Sequence, residues 1–322
     1  MRILHVCKHF YPRVTGVTSH VEHLSREQLA SGHEVAVATW NEESRGHTPG
    51  ALPVMRAKPG DREELARLME NFRPDVIHTH SIWDVSLAAA RAARRLGRPY
   101  VVTTHGTCNL LETAYSLIPW TERLRWDVWR RRIFWPGLLR GAGAIIALND
   151  LEQKDALEAG VAFDRILRIP NAVDVELFHP AGNGNGHRHA ACAECFTVLF
   201  VGAMEKNKGI FEVIAAAATL RERLPQVRWV LCGDGPDLDR AFLAAAASGV
   251  TEVAVFMGRV ERAKIPDLYQ HADAAVAPSH REAFSTVLLE AMASGLPCIG
   301  TNVGGTPSII DEDKTGFLIA QG

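Results

Sequence analysis

The sequence has no long hydrophobic run and no excess of charge of one sign. Its apolar runs, such as 214–220 and 253–257, are far shorter than the roughly 18 residues that span a bilayer. The amino terminus breaks at Lys8 and His9 before a signal-peptide run develops, so no secretion signal is expected. Lys and Arg number 35 against 37 Asp and Glu, whereas a nucleic-acid binder needs a strongly basic surface. The sequence predicts neither a membrane-spanning chain nor a nucleic-acid partner.

Cysteine is also scarce, with six residues in 322, and these are scattered unlike a disulfide scaffold. A reducing cytoplasm is the expected location. His187, His189, Cys192 and Cys195 offer two imidazoles and two thiolates, but their spacing is not a usual structural zinc pattern. The segment 234–237 (DGPD) is not the D-x-D triplet that holds a metal–nucleotide complex. We therefore expect no metal and no other cofactor.

Short apolar runs alternate with segments of helical period, a pattern typical of parallel sheets covered by helices. The predicted strands are 3–7, 34–39, 76–79, 100–104, 144–148, 197–201, 228–232, 254–257, 274–277 and 298–301. The predicted helices are 19–31, 62–72, 85–96, 118–140, 209–224, 238–247, 265–270 and 286–294. A segment rich in Gly and Asn separates the halves. The pattern predicts two doubly wound α/β domains, 1–175 and 197–322, with a linker or loop at 176–196.

The segment 278–295 carries the strongest chemical signal, because it follows a strand and opens a helix. Ser285 can cap this helix, whose first amides then lie outside the carboxyl end of a strand, where phosphate groups bind. Glu282 would lie beside that anion site, and Glu290 inside the helix can reach a ribose. The alternative is a pair of solvated glutamates on an exposed helix face.

Four segments resemble the retaining glycosyltransferases of family 4: 282–319 (EAFSTVLLEAMASGLPCIGTNVGGTPSIIDEDKTGFLI), 201–209 (VGAMEKNKG), 232–238 (CGDGPDL) and 165–180 (RILRIPNAVDVELFHP). The resemblance implies the GT-B fold, in which two Rossmann-like domains face each other across a cleft. The helices that usually cross back onto the first domain are expected to be missing. The implied reaction moves a sugar from a nucleotide-diphosphate donor to a hydroxyl of a sugar, polysaccharide or lipid-linked acceptor, with retained anomeric configuration.

The resemblance also implies site residues. Glu282 would contact the donor sugar, Lys208 the leaving diphosphate, and His105 would line the active site near the donor sugar and the acceptor hydroxyl. The expected nucleotide-sugar-binding residues are Gly16, Lys206, Gly233, Arg259, Ser285, Thr286, Val287 and Glu290. For His80, which like His105 follows an apolar strand, packing in the core is the favoured alternative.

One position departs from the family pattern, since Ala203 stands where members often have an arginine that contacts phosphate. This departure keeps a second hypothesis open, a scaffold that binds sugar nucleotides without catalysis. A GT-B epimerase or phosphorylase is a third possibility, although nothing singles out a lysine for pyridoxal phosphate. Asn171 and Asp174, between the domains, are expected to fix a hinge rather than do chemistry.

The segment 120–140 combines four tryptophans and six arginines with only Glu122 and Asp127. Tryptophan with arginine is typical of an interfacial helix on anionic lipid, which would favour a lipid-linked acceptor and a peripheral position on the membrane. The alternative is a helix that packs its aromatic face on the first domain and leaves its arginines in water. Both readings stay open.

Overall fold

The computed structural model describes residues 1–11, 15–40, 52–106, 134–181 and 195–321. The chain divides into two units, Met1–Asn171 and Ala172–Gly322. The boundary therefore lies four residues before the predicted end of the first domain at 175, and residues 176–181 of the predicted linker belong to the second unit. Residues 182–194 lie outside the described residues. None of the helices among the described residues is both long enough and apolar enough to cross a membrane.

The first unit contains a parallel sheet of seven strands in the order β3-β2-β1-β4-β5-β6-β7. Its strands are β1 Arg2–Cys7, β2 Glu34–Thr39, β3 Val54–Arg56, β4 Val76–His80, β5 Tyr100–Thr103, β6 Ala144–Ala147 and β7 Ile166–Arg168. Its helices are α1 Gly16–Ala30, α2 Arg62–Phe72, α3 Asp84–Arg95, α4 Trp135–Leu139 and α5 Asp150–Glu158.

The two faces of this sheet bury different kinds of side chain. Leu4 and Val6 of β1 point into an apolar core on one face, while Ile3 and Cys7 belong to a smaller core on the other. By alternation His5 shares the face of Ile3 and Cys7, and it pairs in register with His78 of β4. Helix α1 contributes to the same smaller core, and three of its four buried residues are polar (Thr18, Glu22 and Ser25). This face therefore contains a polar layer.

The second unit contains a parallel sheet of six strands in the order β10-β9-β8-β11-β12-β13. Its strands are β8 Phe196–Val201, β9 Val227–Cys232, β10 Ala254–Gly258, β11 Ala274–Ala277, β12 Cys298–Thr301 and β13 Gly316–Ile319. Its helices are α6 Ile210–Leu220, α7 Leu238–Ala247, α8 Ile265–Gln270 and α9 Thr286–Ala293. Apolar clusters cover both faces, so the unit has the doubly wound architecture that the sequence predicts.

The structure corrects several sequence expectations. Helix α1 begins at Gly16, three residues before the predicted start at 19, and is capped by Thr15, whose side chain accepts a hydrogen bond from the Thr18 amide. The strands β3, β7 and β13 and the helix α5 were not predicted. The predicted helix at 118–140 lies outside the described residues up to 133, and its remainder contains the short helix α4.

The cysteines also differ from expectation at one position. Cys195 is disulfide-bonded, whereas Cys7, Cys232 and Cys298 carry free thiols. The disulfide at Cys195 does not fit the reducing location that the spacing of the cysteines favours. The other residues of the weighed zinc pattern, His187, His189 and Cys192, lie outside the described residues.

Candidate functional site

A cation and a carboxylate meet at the carboxyl edge of the second sheet. Lys208, in the turn after β8, places its Nζ 2.9 Å from Oε2 of Glu282, in the segment after β11. Both side chains are largely shielded, with 32% of the lysine and 14% of the glutamate exposed. A small cavity of about 40 Å³ lies beside the pair, and its lining includes Gly202, Lys208, Ser279, Glu282, Ser285 and Val287. The structure thus brings four of the predicted site residues together.

The start of α9 forms one wall of this cavity. Ser285 is the N-cap, and its Oγ accepts a hydrogen bond from the Leu288 amide at 3.4 Å. The amides of the first helical turn have no acceptor within the helix, and Ser285 supplies one for Leu288. The amides of Thr286 and Val287 remain in that turn, next to the cavity. A helix start of this kind favours an anion through its amides and its dipole.

Glu290 lies further along α9 and is buried, with 8% of the residue exposed. The Tyr269 hydroxyl donates a hydrogen bond to Glu290 Oε2 at 3.2 Å, and Arg262 Nη2 lies 3.6 Å from Oε1. Burial raises the pKa of Glu290, while Arg262 and the Tyr269 hydrogen bond act in the opposite direction. Burial also raises the pKa of Tyr269 well above its usual range, so this hydroxyl remains a donor. Glu290 is therefore not the solvated surface glutamate of the alternative reading.

Close backbone contacts hold the loops of this site. Gly233, after β9, has φ +146, and a Cβ there would lie 1.7 Å from the carbonyl oxygen of Gly202 after β8. Gly304, after β12, has φ +54, and a Cβ there would lie 1.6 Å from the carbonyl oxygen of Glu282. Glycine is required at both positions, because any side chain would push these loops apart. The loop that carries Glu282 is thus supported from the neighbouring strand.

Lys206 and Arg259, two further predicted residues of the second unit, follow β8 and β10 and are not among the residues that line this cavity. Lys206 is exposed, and its backbone amide donates to Asp237 Oδ2 at 2.8 Å. Arg259 is exposed, immediately after β10.

Asp174, expected at a hinge, accepts hydrogen bonds from the amides of Glu176 and Leu177 through Oδ1, each at 3.0 Å. Asp174 therefore stabilises a local turn.

The first unit contains a histidine cluster that the sequence reading only partly anticipated. It consists of His5, His20, His78, His80 and His105. His5 Nδ1 lies 2.9 Å from His80 Nε2, and His80 Nδ1 lies 3.1 Å from His105 Nε2. His5 Nε2 lies 2.7 Å from Gln28 Oε1, and His78 Nε2 lies 2.7 Å from Thr103 Oγ1. The ring of His20 packs edge-on against that of His105, with centroids 4.8 Å apart.

His105 lies in a strained turn that Glu152 holds in place. His105 has φ +49, a region that residues with a side chain seldom adopt. Glu152 of α5 accepts hydrogen bonds from the Gly106 amide, from the Thr104 hydroxyl at 2.5 Å and from the Leu148 amide at 2.7 Å. Burial nevertheless raises the pKa of Glu152. This carboxylate joins the ends of β5 and β6 and fixes the backbone beside His105.

Burial keeps the histidine cluster uncharged at neutral pH. It lowers the pKa of His5 and of His20 to about 4, and it lowers the pKa values of His78, His80 and His105 well below the usual 6.5. Neutral imidazoles are potential metal ligands, and two sets lie close enough to hold an ion: His5, His78 and His80, and His20, His80 and His105. His80 belongs to both sets, and hydrogen bonds with His5 and His105 already engage both of its nitrogens.

The sequence reading identified His105 and gave His80 less weight, but missed His5, His78, Gln28 and Glu152. A signal was available for His78, because the H-x-H alternation at 78–80 puts its ring on the same face of the strand as the ring of His80. Gly16 is the first residue of α1, and the space where a Cβ would project is open. Its predicted closeness to a ligand stays a prediction.

Two family models match the chain. The model described as "Glycosyltransferase Family 4" matches residues 14–177, and the model described as "Glycosyl transferases group 1" matches residues 190–322.

Curated relatives agree with these matches. A D-inositol 3-phosphate glycosyltransferase of Pseudarthrobacter chlorophenolicus is 29% identical over 294 residues, which cover 89% of this chain and 68% of the relative. A GDP-mannose-dependent alpha-mannosyltransferase of Mycobacterium tuberculosis is 29% identical over 344 residues, which cover 100% of this chain and 84% of the relative.

Solved structures share the fold. Anabaena Alr3699/HepE in complex with UDP and glucose has a TM-score of 0.77 at 20% identity and covers 100% of this chain and 86% of its own. WaaG, a glycosyltransferase involved in lipopolysaccharide biosynthesis, has a TM-score of 0.73 at 19% identity, over 99% of this chain and 86% of its own. These likenesses confirm the predicted fold class of two Rossmann-like α/β domains, as found in GT-B enzymes.

Proposed function

The chain belongs to glycosyltransferase family 4, and we propose that its second unit binds the nucleotide-diphosphate sugar and its first unit the acceptor. The observation that supports this most is the contact between Lys208 and Glu282 beside the start of α9. One short region then offers a cation, a carboxylate and helix amides. These groups match the diphosphate and the sugar of one donor molecule.

Lys208 and the first amides of α9 stabilise the leaving diphosphate in this proposal. When the bond between C1 of the sugar and the phosphate oxygen breaks, negative charge grows on the diphosphate. A lysine supplies a point charge for it, and the amides of Thr286 and Val287 supply fixed dipoles. No metal ion is needed for this charge, so the proposed reaction is metal-independent. Lys206, exposed nearby, contributes a weaker attraction.

Glu290 and Glu282 have different proposed roles. The carboxylate of Glu290 binds the ribose hydroxyls of the nucleotide, and Tyr269 with Arg262 holds it in position. Glu282 orients the hydroxyls of the transferred sugar. The acceptor hydroxyl attacks C1 from the face that the diphosphate leaves, and a phosphate oxygen takes its proton. The product therefore keeps the anomeric configuration of the donor.

In the first unit, His105 lies in the loop after β5, and Gly16 begins α1, the helix that follows β1, so both lie at the carboxyl edge of the sheet. Ligands of open α/β sheets bind at this edge. We assign the acceptor hydroxyl to the neighbourhood of His105, which is neutral and offers a hydrogen bond without a charge. The open space at Gly16 leaves room for the ligand.

A panel of UDP-, GDP- and ADP-sugars tests the donor site. A matching donor at 100 times its dissociation constant stabilises its binding unit by about 2.7 kcal/mol, which a thermal-shift assay detects. Glu290→Ala should weaken donor binding by about tenfold or more, the scale for a lost hydrogen bond to a charged group. Glu282→Ala should instead mainly lower the transfer rate.

Both the thermal shift and the transfer rate are measured with EDTA present, since the proposed site uses no metal ion. Equal and small effects of the two glutamate variants would contradict the assignment. Binding without any transfer or donor hydrolysis would favour the non-catalytic scaffold instead.

Membrane contact is a separate proposal that concerns the segment 120–140. Trp135 is buried with 4% of the residue exposed, and Arg140 donates to the Ala159 carbonyl through Nε at 2.9 Å. Both side chains therefore make contacts within the first unit rather than with a membrane. The proposal now depends on 120–133, which lies outside the described residues. A lipid-linked acceptor would fit such a contact.

We expect the full chain to sediment with anionic vesicles at low salt. Each basic residue near an anionic surface contributes about 1 kcal/mol, and salt screens this attraction. Binding should therefore weaken toward physiological salt, and weaken further when Arg130, Arg131 and Arg132 are replaced by Gln. Neutral vesicles are the control. Absence of binding at low salt would leave the tryptophans as packing residues.

A further inference from the structure

The hydrogen bonds of the histidine cluster include one continuous chain, formed by Gln28, His5, His80 and His105. Gln28 Oε1 can only accept, so His5 Nε2 at 2.7 Å carries the hydrogen. A neutral His5 then has no hydrogen on Nδ1, which accepts from His80 Nε2 at 2.9 Å. His80 Nδ1 in turn accepts from His105 Nε2 at 3.1 Å. Each ring therefore determines the tautomer of the next.

This reasoning requires that all three rings be neutral, and their environment ensures it. His5 and His80 are fully buried, and burial lowers the pKa of each of the three histidines below its usual value. At pH 7 each ring thus carries one hydrogen. The single acceptor at Gln28 then sets the direction of all three hydrogen bonds.

We propose that Gln28, His5 and His80 are positioning residues that hold His105 in the tautomer with its hydrogen on Nε2. The other nitrogen of His105, Nδ1, is then a hydrogen-bond acceptor toward a sugar hydroxyl and cannot donate. Glu152 fixes the backbone of the same turn through Gly106, so the two contacts together set both the position and the protonation of the ring. The inference rests on the proposed function, in which His105 faces a hydroxyl.

Two other roles for this series of hydrogen-bonded histidines, a proton relay and a metal site, fit the contacts less well. A proton passed inward from His105 would have to leave through the amide of Gln28, which is not a base at neutral pH. A metal ion held by His5, His78 and His80 would need a nitrogen lone pair of His80, and both nitrogens of His80 already take part in the chain. The contacts therefore favour a fixed tautomer over a proton relay or a metal site.

The tautomers can be measured directly on the full chain. Two-bond ¹H–¹⁵N correlation spectra of protein with ¹⁵N-labelled histidine, at pH 7, distinguish hydrogen on Nε2 from hydrogen on Nδ1. Spectra of His5→Gln, His80→Gln and His105→Gln assign the signals. We expect the Nε2–H form at all three positions. Hydrogen on Nδ1 of His105 in the wild-type protein would overturn the proposal without any variant.

A pair of variants of similar size tests the dependence on Gln28. Gln28→Glu keeps an acceptor, and at pH 8, where the added carboxylate does not cause His5 to be protonated, the tautomers and the transfer rate should remain those of the wild type. Gln28→Met removes the acceptor, and the preference for Nε2–H at His5 and His105 should fall by about fivefold, the scale of one hydrogen bond. Glu27→Met, on the exposed side of the same helix, is the control. It should change neither the tautomers nor the transfer rate.

Kinetics separate this inference from the proposed function. Gln28→Met should lower kcat in proportion to the measured fall in the Nε2–H fraction of His105, by at most about fivefold, with the donor KM unchanged, and Gln28→Glu should restore kcat. Unchanged tautomers in Gln28→Met would overturn the inference even if transfer is observed. The wild-type protein could also show the Nε2–H tautomers and yet bind no sugar nucleotide. That result would support the series of hydrogen bonds but overturn the role of His105 in sugar transfer.

Discussion

Lowering the pH from 7 to 5.5 should reduce the unfolding free energy of the first unit by about 2 kcal/mol or more, because its five clustered histidines are largely shielded from water and neutral. Their folded pKa values lie below the unfolded value of 6.5. The unfolded chain therefore binds more protons than the folded one. Stability is fully present above about pH 6.5 and is lost as the pH falls. His5 and His20, whose folded pKa values are about 4, contribute about 1.2 kcal/mol each over this interval, and the other three histidines act in the same direction.

A loss of this size is a large fraction of the stability of a typical domain. Urea unfolding at several pH values, followed by hydrogen exchange in peptides from β1 and β4, measures it, with peptides from β8 and β11 as an internal reference. At pH 5.5, His20→Gln should reduce proton uptake on unfolding by about one. An unfolding free energy of the first unit that stays level from pH 7 to 5.5 would contradict the neutral cluster.

Lys208→Ala should lower the transfer rate by about 10²-fold, the scale for loss of one group that stabilises developing charge. The variant removes the proposed partner of the leaving diphosphate and also leaves Glu282 without its ion pair. Steady-state kinetics with a donor identified by thermal shift measure the effect. The main change should be in kcat, because the charge that Lys208 meets grows as the C1–O bond breaks.

Two lysine variants serve as comparisons. Lys264→Ala removes an exposed lysine that pairs with Glu261 and should leave the rate unchanged. Lys206→Ala should have a smaller effect than Lys208→Ala, because the side chain of Lys206 is exposed. A wild-type rate in Lys208→Ala would transfer the proposed role to Lys206.

Most of the fold could be predicted from the sequence because its buried strands are short apolar runs between turn signals. The predicted bounds of β2, β11 and β12, and of α2 and α7, match the structure. The missed strands β3, β7 and β13 have only three or four residues each and expose several side chains. Strands of this kind owe their conformation to a paired neighbour rather than to their own hydrophobic pattern.

The candidate site was less predictable in the first unit than in the second. Lys208, Ser285, Glu282 and Glu290 occur in segments whose motifs resemble a known family. The partners of His105 follow from strand register and helix packing, which place His5 beside His78 and Gln28 above them. Glu152 is separated from His105 by 47 positions and reaches it only because β5 and β6 are neighbours. These contacts join residues that are far apart in the sequence, so local sequence patterns do not predict them.

The ion pair between Lys208 and Glu282 has a consequence for selectivity. If a diphosphate draws Lys208 away, the shielded carboxylate of Glu282 loses its counter-charge and must find hydroxyl donors. A nucleotide that carries a sugar supplies them, but a bare nucleoside diphosphate does not. In the proposed mechanism, the site therefore favours the complete donor over the spent product, because only the complete donor provides partners for both Lys208 and Glu282 once their ion pair is separated.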